Sequence, residues 1–326
     1  MPMNYRLPTL LLALGISLGV TSGMAVAQTF PSKSMEIVVP FSAGGPSDIF
    51  ARLLSRKLSE AWSQPVIVDN KTGATGMIAS TFVARANPDG HTLLMASTSS
   101  HVAPALYGKP TVNTDKDLAA VIGVVSMPLY LVVNPSLPVK DVKDLVELLR
   151  KNPGRYSYSS AGNGSVNHLS MELWKSMAGL NVAHIPYRGA APALQAVVSG
   201  EVAFTFDTVS QADAFVQAGK LKALAVSGKH RSPSLPNVPT IAESGYPAFT
   251  PTIWFGLFAP AKTPAPIIEK INAQVTQSMA AKDIQEKLRS LGAEFAPTTP
   301  ADYQRFANAE SIQWRKVIAS TGATAD

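Results

Sequence analysis

The chain has 326 residues, 46% hydrophobic and only 15% charged, which argues against both a disordered tail and a nucleic-acid coat. Its 28 Lys and Arg stand against 22 Asp and Glu, a formal +6 spread without any run of five basic residues, as on a mildly basic globular surface. With no cysteine there is no disulfide framework, thiolate nucleophile, zinc ribbon or iron–sulfur cluster, and no two of the five histidines are closer than ten residues, so no His-x-x-x-His ligand pair exists.

The first residues read as an export leader. Arg6 and the amino terminus supply a positive start, Leu10 to Val20 a short apolar core, and Ala25-Val26-Ala27 a small-x-small cleavage signature. Gly15, Gly19, Thr21, Ser22 and Gly23 interrupt the apolar run, which is too short to span a bilayer comfortably. Residues 1–27 are therefore expected to be a signal peptide cleaved after Ala27, with a periplasmic mature chain beginning at Gln28.

The mature chain alternates β-rich runs with amphipathic stretches. Glu36 to Pro40 reads as a buried strand, and Pro46 stands where a first helical turn begins. Ile49, Phe50, Leu53, Leu54, Leu58 and Trp62 then make one apolar stripe at helical spacing. Val66 to Val68 is the next strand, Met77 to Ala86 a helix, Asn87-Pro88-Asp89-Gly90 a turn and Thr92 to Ala96 a third strand. Such a βαβαβ order calls for a parallel sheet covered by helices. Two apolar runs flank Ser126-Met127-Pro128 between Val121 and Val133. A second α/β unit follows: helix Val139 to Leu149, strand Tyr156 to Tyr158, a helix through Leu169, Leu173 and Met177, strand Val182 to Ile185, helix Ala191 to Ser199, and strands Val202 to Phe206 and Leu221 to Ser227. A proline-rich passage from Pro233 to Pro251 leads to strand Ile253 to Phe258 and two helices, Pro266 to Ser290 and Pro300 to Ser320. The expected architecture is α/β with two lobes: residues 28–128 and 252–326 in the first, 129–251 in the second, crossing near Met127 and Ile253.

Three glycine- or serine-rich loops close strands and open helices: Phe41 to Asp48, Ser97 to Ser100, and Ser159 to Ser165. Free N–H groups at helix starts, with the positive end of the helix dipole, suit an anion without any charged side chain. Glycine admits a ligand to the backbone and serine adds a hydroxyl. Capping and turn-making account for any one such loop; three at the carboxyl edge of the strands point to a ligand. The ligand-binding candidates are therefore Phe41, Ser42, Ala43, Gly44, Gly45 and Ser47 in the first loop, Ser97 and Thr98 in the second, and Ser160, Ala161, Gly162, Gly164 and Ser165 in the third. His168, Arg188 and Asp207 are candidates beside them. Asp48, in the third helical position, is assigned to capping its own helix. Asp207 is either a turn or cap residue or a hydrogen-bond acceptor for ligand.

Cofactor motifs fit poorly. Gly162-Asn163-Gly164 lacks the third glycine of a dinucleotide fingerprint, which Asn167 replaces, and Ala223 stands where a Walker glycine would precede Gly228-Lys229. Ser165 and His168, three apart, lie on neighbouring helix faces and form no triad. No cofactor, metal or catalytic residue is expected.

Ile37-Val38-Val39-Pro40-Phe41-Ser42-Ala43-Gly44-Gly45-Pro46-Ser47-Asp48 with Ala51-Arg52 resembles the opening of the Bug family, the extracytoplasmic solute receptors of tripartite tricarboxylate transporters. Val68 to Ala74, Pro88 to Leu94, Tyr158 to Ser165 with His168-Leu169, Ile185 to Gly189, Val238-Pro239-Thr240 to Gly245-Tyr246, and Trp254 to Leu257 are similar to further family motifs in the same order. Arg188 stands where lysine is common and His91 where tyrosine is common. The resemblance implies a type II periplasmic-binding-protein fold whose hinged lobes hold a small carboxylated solute, often through ordered water. It implies the loops at Phe41 to Ser47 and Ser160 to Ser165 for the carboxylate, and at Asp207 an acid found in amino-acid-binding members and in many relatives with other ligands. The partners implied are a small carboxylate and the membrane permease subunits of the transporter, with a monomeric receptor and no nucleic acid. A sensor component presenting ligand to a membrane signalling protein, or an exported enzyme acting on a small carboxylate, are the other readings.

Overall fold

The computed structural model describes residues 30–232 and 234–324, together with Met1 and Met3. The leader's apolar run, its cleavage signature and Pro233 lie outside the described residues. Strand β1 (Met35–Val39), buried except at Glu36, sits between β2 (Val66–Asn70) and β3 (Thr92–Ser97), parallel to both. Helix α1 (Pro46–Trp62) starts at Pro46, and its stripe buries Phe50, Leu54 and Leu58 completely. Helix α2 (Met77–Ala84) covers β1 and β3, completing the expected βαβαβ unit.

A short helix α3 (Thr98–Val102) and a turn of helix α4 (Thr114–Asp117) lead into β4 (Leu118–Val133), a single strand of 16 residues. The two apolar runs around Ser126-Met127-Pro128 are thus one element that changes partners midway. Up to Pro128 it pairs antiparallel with β9 (Thr252–Pro260); from Leu129 it pairs with β7 (Phe204–Thr208), and from Tyr130 with β8 (Lys222–Val226). Proline is tolerated there because the changeover needs no ladder donor from it. The next N–H, of Leu129, goes to the Ser227 hydroxyl at 2.8 Å rather than to a strand.

Helix α5 (Val142–Lys151), β5 (Ser157–Ser160), α6 (Val166–Ala178), β6 (Ala183–Pro186), α7 (Ala190–Ser199) and α8 (Val209–Gln217) complete the second half. There β5 runs parallel to β6 and β7. The full strand order is β2-β1-β3-β9-β4-β7-β5-β6, with β8 also on β4. Each half keeps parallel outer strands, and the antiparallel β9 and β4 join them into one curled mixed sheet. The expected helix from Pro266 to Ser290 is two, α9 (Ala265–Met279) and α10 (Lys282–Ser290). Ala281 is extended between them, and Gln285 Nε2 donates to the Met279 carbonyl at 2.7 Å, capping the first helix.

Helix α11 (Pro300–Thr321) returns to lie on β4. Gly123 and Gly256 face each other across the β4–β9 ladder, and the missing side chains leave a slot filled by Tyr303 of α11. A Cβ on Gly256 would overlap the Tyr303 hydroxyl. Trp254 and Phe258 close the slot, with ring centroids 6.0 and 5.4 Å from Tyr303. Among the described residues no helix is long and apolar enough to cross a membrane.

Candidate functional site

The loop after β1 is built around Asp48, in the third position of α1. Its carboxylate accepts from the Gly44 N–H (3.0 Å), Arg52 Nε (2.9 Å) and Asn70 Nδ2 (3.0 Å), while Asn70 also donates to the Phe41 carbonyl (2.9 Å). Burial alone would raise this carboxyl; the donors from Arg52, Gly44 and Asn70 outweigh it and hold Asp48 below the ordinary range. The capping role expected of Asp48 is therefore wider, since it fixes the whole turn. Ser42, Ala43 and Gly44 stand exposed on it. The N–H groups of Ser42 and Ala43 have no partner among the described residues, whereas Gly45 N–H is turned back to the Ser42 carbonyl at 3.4 Å.

In the second loop the expected side chains face into the fold. Ser97 caps α3 in a reciprocal pair with Ser100, and Thr98 Oγ1 accepts from the Trp254 N–H at 3.1 Å. Ser99, which carries no motif of its own, makes the connection that matters. Its Oγ accepts the Val166 N–H, at the first position of α6, at 3.1 Å. Leu106 packs on Gly164 in the same place, where a Cβ would overlap its Cδ1. The loops of the two halves of the sheet therefore meet, and at Ser99 and Gly164 they touch.

The third loop carries its own acceptors. Gly162 N–H donates to Ser160 Oγ (3.1 Å), Gly164 N–H to His168 Nδ1 (3.1 Å), and His168 N–H to Ser165 Oγ (3.3 Å). The backbone donors of the candidates Gly44, Gly45, Gly162 and Gly164 are consequently engaged, whereas those of Ser42 and Ala43 are open. Gly162 and Gly164 have φ of +120° and +73°, a backbone that glycine alone adopts without strain. Ser47 lies buried, with its hydroxyl 3.5 Å from the Met95 carbonyl. Arg188 is exposed on the corner after β6, next to Tyr187, whose N–H donates to the Ser160 carbonyl. Asp207 sits within β7, 1% exposed, where Oδ1 accepts the Thr208 N–H at 2.6 Å. Burial pushes its carboxyl up to about 7 despite that bond. Among the described residues no three His, Asp or Glu side chains converge as metal ligands would. Two surface concavities, of about 390 and 640 Å³, lie at the opposite edge of the first half around Arg85 and contain none of the expected residues.

The matched family model is described as the tripartite tricarboxylate transporter family receptor, and it spans residues 50–323. The chain belongs to that family. BugT of Bordetella pertussis is 34% identical over 319 residues, covering 96% of this chain and 98% of its own. A protein from the tcbD-tcbE intergenic region of Pseudomonas sp. strain P51 is 38% identical over 308 residues, 93% of this chain and 92% of its own. Among solved structures, R. palustris Rpa4515 with adipate superposes with a TM-score of 0.83 at 35% identity, covering 91% of this chain and all of that one. MatC from Rhodopseudomonas palustris with bound malate gives 0.79 at 34%, over 89% of this chain and all of its own. The periplasmic binding protein BugD gives 0.80 at 33%, with 91% and all covered. This Bug-type receptor thus has the two-lobed α/β fold of periplasmic solute-binding proteins, and two of its structural relatives hold dicarboxylates. His184 and Asn70 complete its loops from outside the glycine- and serine-rich segments, and Ser99 does so from inside the second of them, beside the candidates Ser97 and Thr98.

Proposed function

We propose that the chain is a periplasmic receptor without catalytic turnover, which captures a small carboxylate between its lobes and presents it to the permease subunits of a tripartite tricarboxylate transporter. The observation that carries this reading is the contact between the Ser97–Ser100 segment of one half of the sheet and the start of α6 behind the Ser160–Ser165 loop of the other, where Ser99 Oγ accepts the Val166 N–H, in a family whose structures hold adipate and malate. The carboxylate is received by the open N–H groups of Ser42 and Ala43, with the loop of the second lobe closing over it. Residues 28–128 and 252–326 form one lobe and 129–251 the other, and closure turns on β4 near Met127 and on Ile253. The mature receptor begins at Gln28 and acts as a monomer.

Adipate and malate are the first probes. Saturating binding should raise Tm and lower the radius of gyration measured by X-ray scattering, since ligand favours the closed state by its differential affinity. Mass spectrometry of solute released on denaturation should find a carboxylic acid. A panel of C4 to C6 dicarboxylates that changes neither Tm nor radius, with no acid released, overturns the proposal.

A further inference from the structure

Behind the loop of the second half lies a column of three rings that the carboxylate reading does not use. Tyr158 of β5 stacks on His184 of β6 at 4.8 Å between centroids, and His184 stacks on His168 of α6 at 4.1 Å with the rings 8° from parallel. Both imidazoles reach the loop. His168 Nδ1 accepts the Gly164 N–H at 3.1 Å. His184 Nε2 lies 2.6 Å from Ser160 Oγ, the atom that accepts the Gly162 N–H. The two glycines whose backbone angles define this turn are thus each held by an acceptor that ends in the histidine stack.

We propose that His168, backed by His184, is a positioning residue for the ligand loop: its unprotonated Nδ1 holds the Gly164 amide and through it the shape of the turn that closes on the carboxylate. The inference rests on the receptor reading for its consequence in binding. A neutral imidazole with Nδ1 as acceptor carries its proton on Nε2, so charging the ring places an N–H against the Gly164 N–H and breaks the contact. It also sets a cation 4.1 Å from the second imidazole. Among the described residues the charged groups facing the stack come from α6: Glu172 and Lys175, bonded to each other at 2.5 Å. Tyr158, from β5, donates its hydroxyl to Glu172 at 2.5 Å, and Ser160 is the polar neighbour at the loop end. Glu172 is shared with Lys175 and Tyr158, and its attraction for a charged histidine is outweighed by burial. Burial, with His168 beside it and against the pull of Glu172, lowers His184 to about 4; burial likewise lowers His168.

Two variants separate holding from filling. His168→Asn keeps a side-chain oxygen near the place of Nδ1 and does not titrate, whereas His168→Phe keeps a ring and removes the acceptor. The first readout needs no ligand: the Gly162 and Gly164 amide signals and their hydrogen-exchange protection, followed by NMR from pH 7.5 to 4. In the unsubstituted protein the Gly164 amide should shift and lose protection on acidification, stay constant in His168→Asn, and be unprotected at every pH in His168→Phe. The second readout is adipate and malate affinity over the same range, which should fall about tenfold or more toward pH 4.5 and less in His168→Asn, a comparison that removes the ligand's own protonation. A Gly164 amide indifferent to pH and to His168→Phe overturns the hold on the loop. An amide that responds while affinity in the two backgrounds falls equally overturns its role in binding. If neither acid binds at pH 7 the receptor reading fails instead, and the amide signals alone decide the positioning role.

Discussion

A carboxyl group shut inside a strand, as Asp207 is, keeps its proton far above the pH at which the unfolded chain releases it. With the folded value at about 7 against an ordinary 3.8, the folded state binds more protons in between. Its contribution is fully present below about pH 3.8 and is lost as pH rises through 7. His184 has the opposite sign: its folded value of about 4 lies below the ordinary 6.5, so stability is full above 6.5 and is lost as pH falls through 4. Asp207→Asn should therefore raise stability at pH 8 by on the order of 2 kcal/mol and change it little below pH 4, as read by denaturant titration at both pH values. Equal stability of the two proteins at pH 8 would show that the buried acid ionises without cost. None of this was legible at the residue: the sequence placed Asp207 at a strand end and left its role open between turn and ligand. Its burial within β7 depends on strands far away in the chain. Ser97 and Thr98 show the same gap, because whether a serine faces ligand or caps a helix is decided by its neighbours in space.

At the scale of elements, local pattern was a good guide where one stripe or one run defined the piece. Helix α1 with its proline start, and strands β1 to β3, follow from spacing and turn residues alone. The pattern failed where a partner decides: β4 continues through Pro128 because β9 gives way there to β7 and β8, and α9 ends at Met279 although the next residues, Ala280 and Ala281, are good helix formers. The facing pair Gly123 and Gly256 had no meaning until Tyr303 was seen to fill the slot. Gly256→Ala should evict the ring of a residue that is 2% exposed and destabilise by roughly 1–3 kcal/mol, the usual range for overfilling a core. The double variant with Tyr303→Ala, which removes the hydroxyl and the ring carbons that the new Cβ would meet, should be no less stable than Tyr303→Ala alone. A further loss on adding Gly256→Ala to Tyr303→Ala, read by urea unfolding, would place the strain in the strand backbone instead.

Across the whole molecule, the two-lobed outline and the loop edge were readable because motifs recur in a fixed order. The change of partners along β4 falls at the proline that interrupts its apolar run. What could not be read is that β9 lies between β3 and β4, strands that precede it by more than a hundred residues. That insertion sets an order of assembly. Strands β4 to β8 come from one stretch, residues 118–226, and can pair as they meet; the first half stays an open edge at β3 until residues 252–260 arrive. Pairings this distant in the chain fold slowly. Pulse-labelled hydrogen exchange during refolding should find the amides of Phe204–Thr208 protected before those of Leu94–Ser97, and simultaneous protection would contradict the order. For a receptor exported as proposed, such a delay would be useful: the topology itself, rather than a separate inhibitor, would keep the chain threadable until the last third is free.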